Sequence, residues 1–291
     1  MFKIEKGRYT DDSVQDHPIY ALMTSGGETM QRWFGELQKS ASLMHITGGL
    51  GAVHGIEGFG PQYELPNADA FNETCAAVGN VLFNYRMFLL HKDAKYLDVA
   101  EVALQNNVLA AVNLEGNRFF YVNPLAADGK YPFNHGTAGR APWFGTACCP
   151  SNMARLLPQV QGMTYAHDDD NLYVTFFAES ATKANVGGTE VGIQQATTYP
   201  NDGKIRINLK PKQPAKFALH LRIPTWTGDR LVPGELYRFV KPKTAAWSLS
   251  VNGKSVQAKV EKAGLPFHHV DRVMQHTLDD ENFLIGKHLL A

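Results

Sequence analysis

The chain has 291 residues, 28 basic and 28 acidic, so its formal net charge is zero, and its 44% hydrophobic and 19% charged content is that of an ordinary globular protein. Balanced charge removes the electrostatic reason to bind nucleic acid or an anionic membrane, and no apolar run approaches the roughly 20 residues that cross a bilayer. Aromatic residues, 11% of the chain, argue against disorder. The opening MFKIEKGRYTDDSVQDH lacks the apolar core of a secretory signal, which leaves cytoplasm or periplasm as the expected compartment. Three cysteines are an odd count and a poor disulfide framework for this length.

In chain order, the first predicted element is a helix over residues 28–44, with Trp33, Leu37 and Leu43–Met44 at helical spacing. From Cys75 an apolar stripe of Val78, Leu82, Tyr85 and Leu89 predicts a second helix, and Leu97, Leu104 and Val108 predict a third over 96–112. Glycine-rich loops, TGGLGAVHGIEGFGPQ (47–62) and NHGTAGRAPWFG (134–145), separate these elements. A last helix is expected after Pro150, a residue suited to a first turn. Beyond Asp168 the period falls to two: NLYVTFF, KIRINLK, KFALHLRIP and AWSLSVNG read as strands, with turns at Asn201-Asp202-Gly203 and Asn252-Gly253. The expected architecture is a helical domain, residues 1–166, followed by an antiparallel β-sandwich, residues 167–291. The pair His268–His269 reads as surface, and the C-terminal DRVMQHTLDDENFLIGKHLLA departs from strand alternation.

Four side chains stand out as ligands: Glu73 and Cys75 in FNETCA, and Cys148 and Cys149 in TACCPSN. Thiolates with a carboxylate suit Zn²⁺. Residues two apart on a regular helix point about 200° from one another, so Glu73 and Cys75 can share an ion only at an irregular helix start. The competing reading is three small buried cysteines of apolar character. Glu57 sits in a loop whose glycines admit a ligand to the backbone. Glu101 shares a helical face with Leu97 and Leu104, so it points inward and needs a ligand or an internal partner such as an arginine. His45 and His54 flank the TGGLGA loop, where they either bind substrate or fill polar gaps.

The segments HITGGLGAVHGIEGFGPQYELPNADAFNETCA, DVAEVALQNNVLAAVNLEGNRFFYVNPL and WFGTACCPSNMARLLP resemble glycoside hydrolase family 127, the β-L-arabinofuranosidases, over residues 45–165. The segment LRIPTWTG…LYRF…LSVNGK is similar to the family more loosely. The resemblance implies an (α/α)6 barrel followed by β-sandwich domains, and removal of terminal β-L-arabinofuranose or a similar sugar from arabinose-containing plant glycans. It implies Glu73, Cys75, Cys148 and Cys149 as zinc ligands, Cys148 as nucleophile and Glu57 as acid/base. Glu101, Tyr121 and His54 would then contact the sugar. Physically, a thiolate would replace one carboxylate of the usual retaining pair. A free thiol, with a pKa near 8.5, needs a cation beside it to stay ionised at neutral pH.

Relative to that family the chain carries only the later part of the helical domain, which implies a partial barrel with exposed apolar helix faces and a tendency to self-associate. The histidine of an Ala-Val-Gly-His helix, expected after Gln15-Asp16-His17-Pro18-Ile19, is missing. Two other functions compete with hydrolysis: an inactive homologue that binds glycan or serves as a scaffold, and a redox or zinc-storage role for Cys148–Cys149.

Overall fold

The computed structural model describes residues 43–234, 236–241, 247–257, 259–263, 267–273 and 281–287, the last three segments as backbone only. The helix expected over 28–44 and the segment after Gln15 lie outside these residues, apart from Leu43 in a turn and Met44 in an isolated bridge to Leu50. Among the described residues, no helix is long and apolar enough to cross a membrane.

Helix α1 spans Thr74–His91 and α2 spans Ala94–Ala103. Lys92 ends α1 in the left-handed conformation, its N–H returning to the Phe88 carbonyl, and the Asp93 carboxylate caps α2 by accepting from Lys95 N at 3.0 Å. A two-residue link of this kind folds the helices back on each other. Every residue from Tyr96 to Ala103 is buried, so α2 is apolar on all sides except at Asp98 and Glu101. The helix expected to run to Val112 loses its α geometry after Ala103, passing through a π turn (Leu104–Val108) and a 3-10 turn (Leu109–Ala111). Helix α3 (Cys148–Val160) begins two residues earlier than its proline suggests, leaving Pro150 within the first turn. The three helices pack through Val78, Val81, Phe88, Leu97, Met153 and Leu156.

The last helical turn ends at Met163, and the first strand, β1, is Tyr165–His167. It joins β2 (Asn171–Val174), β6 (Ala218–Arg222), β10 (Phe267–Val273) and β9 (Lys259–Ala263) in the order β1-β2-β6-β10-β9. The second sheet contains β3 (Ser180–Val186), β4 (Thr189–Thr197), β5 (Ile205–Pro211), β7 (Trp247–Val251), β8 (Lys254–Ser255) and β11 (Glu281–Lys287), in the order β3-β4-β5-β11-β7-β8. Leu172, Val174, Leu219 and Leu221 from the first sheet share one core with Val191, Ile193, Ile207, Leu209, Leu249 and Val251 from the second. Asn252-Gly253 forms the expected tight turn, both residues at positive φ, and so does Gly187-Gly188 between β3 and β4.

Two expectations are corrected. The sheets are not wholly antiparallel, because β2 and β6 pair in parallel. The chain leaves β2 to build β3–β5 in the other sheet before returning, and such a crossover permits parallel alignment. The C-terminal segment also continues the strand pattern: β11 sits between β5 and β7, bonded on both sides. A central position of this kind overrides weak local propensity. The backbone of His268 and His269 lies in β10, and their side chains are outside the described residues.

The helical half is tied to the sheets by a buried ion cluster. Arg222, the last residue of β6, donates to Asp98 Oδ1 at 2.6 Å, to Glu101 Oε1 at 2.7 Å and to the Thr175 carbonyl at 3.2 Å. Trp226 Nε1 donates to the other Glu101 oxygen at 3.2 Å. Burial raises the Asp98 carboxyl to about 7 against the pull of Arg222. At the surface, Lys92 pairs with Asp168 at 2.5 Å.

Candidate metal centre and cleft

The starts of α1 and α3 converge. Glu73 is the N-cap of α1 in an extended conformation (φ −56°, ψ 132°) while Cys75 is inside the first turn, the irregular start that two ligands so close in sequence require. Cys148 and Cys149 open α3. Thr74 pins α1 in place, its N–H donating to the Tyr121 carbonyl at 3.0 Å and its hydroxyl to the Phe120 carbonyl at 2.8 Å. Two helix N-termini therefore face the thiols, and their dipoles favour negative charge there.

The ligand atoms of Glu73, Cys75, Cys148 and Cys149 all lie within 4.8 Å of one another. Cys75 and Cys149 sulfurs are 3.2 Å apart and those of Cys148 and Cys149 3.9 Å, while Glu73 Oε1 is 3.6 Å from Cys148 Sγ and 3.7 Å from Cys149 Sγ. Tetrahedral zinc with sulfur at about 2.3 Å requires sulfur–sulfur edges of about 3.7 Å. The donor set and its spacing fit such an ion, and all three cysteines are free thiols. Left to themselves the thiols do not ionise together. The Cys75 thiol is held down chiefly by its bond to Cys149, whereas Cys149 is pushed up by that same bond and by burial, and Cys148 is pushed up by burial. Three thiolates in one apolar pocket, walled by Phe71, Tyr121, Phe133 and Phe144, call for a cation.

The Tyr121 hydroxyl lies 3.3 Å from Cys148 Sγ, and its phenol is raised by burial and by that contact, so it stays protonated. Its backbone is fixed by Asn134, fully buried, whose Oδ1 accepts from Tyr121 N at 2.8 Å and Val122 N at 3.3 Å while Nδ2 donates to the Phe119 and Gly139 carbonyls.

Glu57 closes the turn His54–Glu57, pinned by reciprocal bonds between Val53 and Gly58 at 3.0 and 3.1 Å. Glu57 is exposed at φ 47°, a left-handed conformation uncommon outside glycine. The turn opens on a cleft of about 280 Å³ lined by Leu50, Gly51, Glu57, Phe59, Phe71 and Glu73, among others. Glu73 is the residue shared by the cleft and the thiol cluster. The neighbouring loop is clamped to α2 at Gly48, where a Cβ would come within 2.6 Å of the Ala103 Cα, so only glycine fits.

Of the residues singled out in the sequence, Glu73, Cys75, Cys148, Cys149 and Tyr121 come together, and Glu57 joins them through the cleft. His54 packs edge-on to Phe71, a cleft wall, and lies 3.8 Å from Asp69. Glu101 points inward as expected, but toward Arg222 and Trp226. His45 is buried with Nε2 3.2 Å from the Pro66 carbonyl, a filled polar gap. Asn134 carried no local signal, since NHG reads as a turn. Asn152 could have been found, because it lies one helical turn beyond Cys148 in CCPSN and reaches back to the cluster.

The helical half thus gathers a Glu-Cys₃ donor set beside a cleft and is joined to two sheets with a common core. Residues 39–162 match the beta-L-arabinofuranosidase GH127 catalytic domain and residues 171–277 the GH127 middle domain, and the chain belongs to glycoside hydrolase family 127. It is 31% identical over 228 residues to the non-reducing end beta-L-arabinofuranosidase of Bifidobacterium longum subsp. longum, a match covering 75% of this chain and 32% of that protein. Among solved structures, a GH127 beta-arabinofuranosidase aligns with a TM-score of 0.78 at 37% identity, over 93% of this chain and 41% of the other. The GH127 beta-L-arabinofuranosidase from Geobacillus stearothermophilus T6 aligns at 0.73 and 31%, over 92% and 40%. The chain thus spans about a third of the length of the curated relative it matches.

Proposed function

We propose that this chain carries the active site of a retaining glycoside hydrolase that releases terminal β-L-arabinofuranosyl or similar groups from plant glycans. In this reading the helices belong to an (α/α)6 barrel and the two sheets to a β-sandwich, with the division near residue 166. The observation that carries it is Glu73, shared between the Glu-Cys₃ cluster and the cleft that also takes in Glu57.

Glu73, Cys75, Cys148 and Cys149 would hold zinc. Bound zinc supplies the positive charge that keeps the sulfurs deprotonated together. Cys148 and Cys75 are half-buried where Cys149 is fully buried, and Cys148, beside the Tyr121 hydroxyl rather than held by Asn152, is the sulfur assigned to the attack. It attacks the anomeric carbon as Glu57 donates its proton to the departing oxygen. Glu57 then takes a proton from water, which displaces the sulfur from the sugar, so two inversions give net retention. The Tyr121 hydroxyl donates to the Cys148 thiolate whenever the sugar is not attached and holds it in line. His54, on the Glu57 turn, and Tyr121 are the proposed sugar contacts nearest the reacting atoms. Glu101 has one oxygen on Arg222 and the other on Trp226, so it serves a sugar only through its remaining lone pairs.

The test is release of L-arabinose from an aryl β-L-arabinofuranoside by the full chain. Glu57→Gln is expected to lower kcat/KM by about 10²–10⁴-fold with zinc retained, and Cys148→Ala to remove turnover. Saturable sugar binding without product, indifferent to Glu57→Gln, would instead establish the glycan-binding reading.

A further inference from the structure

We infer that Asn152 and Arg155 form a two-residue relay on α3 that fixes Cys75 as a permanent metal ligand and sets how tightly the centre holds its ion. The inference rests on the metal reading of the cluster and concerns residues outside the ligand set.

Asn152 Nδ2 donates to Cys75 Sγ at 3.2 Å. Which end of an amide faces a sulfur is ordinarily ambiguous, but here Arg155 resolves it. Its NH1 lies 3.1 Å from Asn152 Oδ1, and a guanidinium only donates, so the carbonyl end must face Arg155 and the NH₂ end must face Cys75. The positive guanidinium draws electron density toward Oδ1 and makes the amide a stronger donor to sulfur. Helical spacing makes the device possible: Asn152 lies one turn after Cys148 and Arg155 three residues after Asn152, on the face of α3 turned toward the start of α1.

The two half-exposed sulfurs are therefore treated differently. Cys75, given an amide that cannot ionise and is itself held by Arg155, is the anchor. Cys148 meets a phenol hydroxyl, which can rotate away. Groups that hydrogen-bond a metal ligand orient it and change metal affinity by about 10–100-fold when removed.

The experiment measures zinc affinity of the full chain by competition with a chromogenic chelator, and the sulfur-to-metal charge-transfer band after loading with Co²⁺. Asn152→Leu keeps the volume without the donor, and Asn152→Asp keeps the shape with an acceptor in place of the donor. Both are expected to weaken zinc binding, by about 10–100-fold for Leu and further for Asp, and to shift the Co²⁺ band. Arg155→Ala, at an exposed position, tests the relay without disturbing packing and is expected to weaken binding by a smaller factor. Zinc held as tightly as in the wild type by Asn152→Leu and Arg155→Ala would overturn the inference while leaving the metal centre intact. A wild-type chain that binds no zinc would overturn both it and the reading it rests on.

Discussion

Cys75 is the residue on which the metal centre can be tested most simply. It bonds to Cys149 Sγ and accepts from Asn152, so Cys75→Ser changes one atom in a defined setting. We expect about one zinc per chain in the wild type and its loss in this variant, measured by elemental analysis of dialysed protein, because a neutral hydroxyl is a poor substitute for a thiolate ligand. All four donors were legible in the sequence because cysteines are few and Glu73 lies two residues from one of them. Their convergence was not, since it depends on where two helices start. The inward aim of Glu101 was also legible from helical phase. Its partner Arg222 was not, because contacts across more than 100 positions leave no trace in local spacing.

At the scale of elements, the segment from Phe119 to Gly139 turns on one amide. Asn134 satisfies two backbone N–H groups and two carbonyls with a single buried side chain. Asn134→Ala leaves the Tyr121 and Val122 amides unpartnered in the interior, at about 1–3 kcal/mol for each buried group. We expect a clear loss of stability by chemical denaturation together with a raised KM, since Tyr121 is then free to drift from Cys148. The helices themselves were largely readable from apolar spacing, but their ends were not. The π turn after Ala103 and the start of α3 at Cys148 have no counterpart in the apolar spacing. Four strands, β2, β5, β6 and β7, were readable from alternation flanked by turn residues; β3 and β4, mostly small and polar, were not, and at β11 pairing on both sides substitutes for sequence preference.

At the scale of the whole molecule, stability is expected to follow the Arg222 cluster. Asp98 is raised from its ordinary value to about 7. Between pH 4 and 7 the folded protein therefore holds a proton that the unfolded chain has released, and this group alone makes stability fall as pH rises through that window, with no further change above it. Compared with Asp98→Asn, the wild type should lose thermal stability over that range, as seen in Tm measured at successive pH values. Arg222→Met leaves two carboxylates facing each other without a cation, and we expect a loss of about 3–5 kcal/mol in denaturant unfolding at pH 8.

The same arginine bears on how such proteins are assembled in evolution. The helical half supplies two buried carboxyl groups and the other half supplies the guanidinium that pairs with both, so neither half is electrically complete alone. Domains that meet only through exposed surface can be exchanged between proteins. A pair sharing one buried charge cluster has to be inherited, shuffled or lost as a unit, and a chimera made by swapping the sheets must bring its own arginine to this position.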